Sequence, residues 1–81
     1  MRTTYQLVTY GNDEYTKLVN VCKFLGSPIK STIITDSSLT NKIKVRSIVN
    51  LSKYELLYVR LTVTIQDIKE VKDDRPLETY S

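Results

Sequence analysis

Lys42, Lys44 and Arg46 alternate with Ile43 and Val45, so on an extended backbone their side chains leave from one face. Successive side chains on such a face stand about 7 Å apart, close to the interval between phosphates along a nucleic-acid strand, and a row of this kind can track a polyanion. This chemistry is electrostatic attraction, with no proton moved and no bond made. The plainer alternative is the solvated face of a half-buried sheet. A second group, Tyr54, Tyr58 and Arg60 with Lys53 beside them, has the composition of a protein-binding patch, because tyrosine and arginine bury large areas at low entropic cost. The alternative for these tyrosines is that they cap the edge of a core.

Residues suited to catalysis are scarce. The chain has no histidine, which removes the side chain best matched to proton transfer near neutral pH and the commonest metal ligand. Its one cysteine, Cys22, cannot assemble a zinc site within a single chain, and as a nucleophile it would have no histidine to activate it. Asp13 and Glu14 are explained as the acidic start of a helix, where they suit the helix dipole. Glu55 lies among apolar residues, in a position that a capping box or a turn accounts for. The two glycines, Gly11 and Gly26, are too far apart for a phosphate-binding loop. These observations predict a protein that is not an enzyme and needs neither cofactor nor metal.

The elements that would carry these residues follow from periodicity. Thr4 to Tyr10 is rich in β-branched and aromatic residues and reads as a strand. Asn12 is placed to cap a helix in which Tyr15, Leu18, Val19, Cys22 and Leu25 form one apolar stripe, ended by Gly26 and Pro28. On that stripe Cys22 and Tyr15 are core residues. Ser31 to Thr35 reads as a short strand closed by a turn at Asp36-Ser37-Ser38, and Lys42 to Leu51 as a strand with one buried and one wet face.

Residues 52–66 support two structures. Ser52-Lys53-Tyr54-Glu55 matches a capping box, with Tyr54, Leu57, Tyr58 and Leu61 at helical spacing. Yet Leu57, Val59, Leu61, Val63 and Ile65 also alternate with Tyr58, Arg60, Thr62, Thr64 and Gln66. The helix gives βαββαβ, a ferredoxin-like order; the strand gives βαβββ, with a hairpin near Asn50–Lys53. The β-branched run and the lack of a glycine or proline before it favour the hairpin. It would put Tyr58 and Arg60 on the same sheet face as the basic row, opposite the first helix. The fold class expected is therefore α+β: a small antiparallel sheet of about four strands on one main helix, as one domain over residues 1–71. The polar stretch 72–81 is expected to be a loose tail.

Eighty-one residues hold one core, which buries roughly 60–65% of the unfolded surface. Without a disulfide, an apolar leader or a long apolar run, the chain is expected to work in the cytoplasm and away from membranes. Its charge is uneven. Through Gln66 there are nine basic residues and four acids, whereas the remainder is mildly acidic. Such a body permits contact with an acidic protein or with nucleic acid. The expected function is a small regulator or inhibitor meeting a protein partner through its exposed sheet face or a free strand edge. The alternative is a nucleic-acid-binding regulator using Lys42, Lys44, Arg46 and Arg60. Free sheet edges also allow a homodimer. The Lys/Ile/Thr/Asn-rich composition would suit a phage or mobile-element accessory protein.

Overall fold

The structure, a computed structural model, describes residues 1–37 and 42–72. In chain order the elements are β1 (Thr3–Tyr10), α1 (Asn12–Leu25), β2 (Ile29–Ser37), β3 (Lys42–Leu51), α2 (Lys53–Thr62) and β4 (Asp67–Glu70). The strands form one sheet in the order β2-β3-β1-β4, antiparallel at every pairing. This is the ferredoxin-like βαββαβ arrangement, an α+β fold with both helices on one side of the sheet. Ser38 of the expected turn and residues 73–81 of the expected tail lie outside the described residues. Asp36 and Ser37 continue β2 in place of turning.

The hairpin expected over 52–66 is overturned. Ser52 Oγ accepts from Glu55 N–H at 3.1 Å and Glu55 Oε1 accepts from Ser52 N–H at 2.7 Å, so both halves of the capping box are made. The β-branched residues do not prevent the helix. Thr62 donates its hydroxyl to the Tyr58 and Val59 carbonyls, and Val59 sits fully buried in the core. Tertiary burial outweighs strand preference here, as it commonly does where intrinsic propensities differ by about 1 kcal/mol or less.

Asn12 does not cap α1. Gly11 takes the cap position at φ 88°, a left-handed backbone that lets its N–H reach Ile43 O at 2.8 Å while α1 departs. At the other end Gly26, at φ 69°, donates to Lys23 O, and Ser27 N–H donates to Cys22 O, the paired bonds of a Schellman motif.

Two carboxylates then tie the helices together. Arg2 donates from Nε and Nη2 to the two oxygens of Glu55, at 3.0 and 2.9 Å. It also donates to the Leu25 and Gly26 carbonyls at the end of α1. At the opposite end Glu14 Oε1 accepts from Thr64 N–H at 2.7 Å, just past α2. With the end of α1 beside the start of α2, and the start of α1 beside the end of α2, the helices lie antiparallel.

The core fills the space between this helical layer and one sheet face. It is built from Tyr5, Leu7, Val49 and Leu51 of the sheet, Leu18 and Cys22 of α1, Val59 of α2 and Val63 just beyond it. Tyr15, expected in the core, is only half-buried. Ser47 shares the inward parity of β3 and is accommodated by a 3.0 Å hydroxyl contact with Ser31. Leu18→Ala is expected to cost about 2–5 kcal/mol, whereas Leu61→Ala on the outside of α2 should stay within about 0.5 kcal/mol. Urea denaturation followed by circular dichroism measures both; comparable losses at the two sites would contradict the orientation of α2.

Candidate functional site

The six residues proposed to bind a partner fall on two elements, β3 and α2, which lie on opposite sides of the core. Lys42, Lys44 and Arg46 lie on β3, where Lys42 opens the strand against Ser37 and Arg46 pairs with Val8 on one side and Thr32 on the other. Val45, Val49 and Leu51 of the same strand point into the core. Lys44 and Arg46 therefore occupy the face away from the helices, as the alternation required. Tyr54, Tyr58 and Arg60 sit on α2, across the core, so the shared face expected from the hairpin does not exist.

The open sheet face can be laid out by register. One row runs Lys30, Ile48, Gln6, Lys69 across β2, β3, β1 and β4; the next runs Thr32, Arg46, Val8, Asp67. Above them Lys44 pairs with Tyr10 and holds its ammonium 5.8 Å from the ring centroid, a cation–π contact. Below them Asn50 donates to Thr4 Oγ1 at 3.2 Å. Lys30 and Lys69 were not singled out by sequence reasoning. Each is the lone cation on this face of its strand, β2 or β4, with no alternating basic pattern, and only strand pairing brings them into line with Arg46.

The helical surface carries the larger departure. Tyr54, Leu57, Tyr58 and Leu61 share a helix face, but it is the outer one. Tyr54 is 86%, Leu57 56% and Leu61 76% exposed. The inward face of α2 is instead made by Leu56 and Val59, continued by Val63 beyond its end. Phe24 of α1, 78% exposed, meets Tyr58 with ring centroids 6.3 Å apart. Phe24 extends the α2 stripe across both helices, and Arg60 stands beside it. Phe24 was absent from the sequence-derived set because it falls off the α1 apolar stripe, which in hindsight was the signal.

The ionisable groups of the helical layer are structural. Glu55 is held down to about 2 by its bonds from Arg2 and, next, from the Ser52 N–H. Glu14 is also lowered, first by the Thr64 N–H and then by Lys17, whose Nζ donates to it at 3.1 Å. Burial pushes the Cys22 thiol up, which makes it a poorer nucleophile. Among the described residues no three His, Cys, Asp or Glu side chains converge on a point where a metal ion could sit. No helix among them is long and apolar enough to cross a membrane.

The lowered carboxylates fix the sign of the acid response. Both are charged in the folded state at a pH where the unfolded chain has taken up protons. Their contribution is therefore complete above the unfolded value of about 4.3 and is lost as pH falls from there toward 2. Glu55→Gln, which keeps the capping geometry, should flatten the decline of the urea midpoint across that window. It should leave the slope above pH 5 unchanged. An acid limb as steep as that of the wild type would show that the Arg2–Glu55 pair is not what titrates. Comparisons with protein-family models, with curated proteins and with solved structures gave no match.

Proposed function

We propose that this chain is a small non-enzymatic binding protein, a regulator or inhibitor, that meets a protein partner through the outer stripe of α2 extended by Phe24. The observation that carries this reading is the contiguous exposure of Phe24, Tyr54, Leu57, Tyr58 and Leu61. Large apolar side chains left next to one another on a small domain mark interaction surfaces, whereas scattered ones do not. The stripe is aromatic-rich and presented on a helix pinned at both ends, so its backbone is already ordered before a partner arrives. Two tyrosines and a phenylalanine suit the buried centre of an interface.

Charge points to the character of the partner. Lys53 and Arg60 border the stripe, while Glu55 is turned toward Arg2. An acidic rim on the partner complements this border. Two copies of the chain meeting stripe to stripe would set like charges against each other, which opposes a homodimer through this surface.

A photo-crosslinking residue at position 54, and in parallel at position 32 on the sheet, would be used in cells that produce the protein. A discrete adduct with a second protein is expected from position 54 and should disappear with Leu57→Glu, which leaves the core untouched. Once that partner is purified, Tyr58→Ala should weaken binding at least tenfold, about 1.4 kcal/mol. An adduct that survives Leu57→Glu, or one formed only from position 32, would sink the helical surface as the binding site.

A further inference from the structure

The open sheet face is a second surface, and its composition is not that of an evenly mixed solvated face. Lys30, Lys44, Arg46 and Lys69 project from it on three of the four strands, β2, β3 and β4. Among the described side chains Asp67 is the one acid there. Asp13, Glu14 and Glu55 belong to the helical layer, and Glu70 has the opposite parity on β4. None of the four cations takes part in the ion pairs of the described residues, which are Arg2–Glu55 and Lys17–Glu14. The described acids are thus gathered mostly on the helical side, and among the described residues these four cations have no ion-pair partner and no helix lies over their face.

Two features on this face could receive a flat ring. Tyr10, 41% exposed, ends the row Thr35, Lys44, Tyr10. Four residues down β3, about 14 Å away, Ile48 floors a hollow of about 190 Å³ bordered by Thr4, Pro28, Lys30 and Asn50. Arg46 lies between the two. Among the described residues no helix lies on this face to enter a duplex groove, whereas an unpaired strand can lay its bases on a sheet and its phosphates along the cations.

We infer that the open sheet face binds single-stranded nucleic acid, with Lys30, Lys44, Arg46 and Lys69 on the phosphates and Tyr10 and the Ile48 hollow taking bases. The inference stands independently of the helical stripe.

Fluorescence anisotropy of short labelled single-stranded RNA and DNA tests it, with the full chain as the titrant. Neutralising four phosphates should weaken binding about 50-fold between about 50 and 200 mM salt. At the lower salt Lys44→Gln with Arg46→Gln should weaken it at least tenfold. Lys17→Gln with Lys23→Gln changes the net charge equally but lies on the helical layer, and should weaken binding no more than about threefold. All substituted side chains lie on the surface, and circular dichroism checks that each variant is folded. Equal loss in the two double variants, no binding at low salt, duplex bound as tightly as single strands, or polyglutamate competing as well as oligonucleotide would each overturn the assignment.

Discussion

Glu55 is the junction on which the helical layer depends. Its carboxylate closes the capping box that starts α2 and grips Arg2 with both oxygens, while Arg2 also holds the last carbonyls of α1. One side chain thereby joins the start of β1, the end of α1 and the start of α2. A surface ion pair is ordinarily worth little, and salt screens it. Here the bonds are bidentate and shared with backbone groups that would otherwise have no partner at the helix ends. Their effect is geometric: they fix how far α2 lies from α1 and which way it is rotated. The Glu14–Thr64 bond does the same at the opposite end.

That rotation gives α2 two apolar stripes. Leu56, Val59 and the following Val63 pack inward, and Tyr54, Leu57, Tyr58 and Leu61 remain outside. A small core has limited room, and one inward stripe is enough to fill it beneath two short helices. The outer stripe contributes nothing to that core, which is the strongest physical reason to assign it a function. The other face is bare for a different reason. A two-layer fold covers only one side of its sheet, so alternation along the strands delivers every second residue to solvent. The apolar stripe of α2 and the basic row of the open sheet face thus end on opposite sides of the core.

Several features were legible in the sequence because they are local. The stripe from Tyr15 to Leu25, ended by Gly26, specifies α1 through a period that depends only on neighbours within three turns. The alternation from Lys42 to Leu51 specifies β3 with the observed bounds and puts Lys44 and Arg46 on its wet face. The capping box at Ser52 was also visible, although its weight against the β-branched run was not. What outweighed that run was tertiary: Val59 is buried in the core, and Arg2, fifty-three residues earlier in the chain, grips Glu55.

The sequence by itself therefore determined the α+β class, α1, the amphipathic β3 and the scarcity of catalytic side chains, since each follows from composition or short-range spacing. Tertiary structure decided which stripe of α2 faces water. It also brought Lys30 and Lys69 into line with Arg46 and set Phe24 against Tyr58. Each of these rests on contacts between residues distant in the chain, made when strands pair and helices pack, and no periodicity within one segment encodes them.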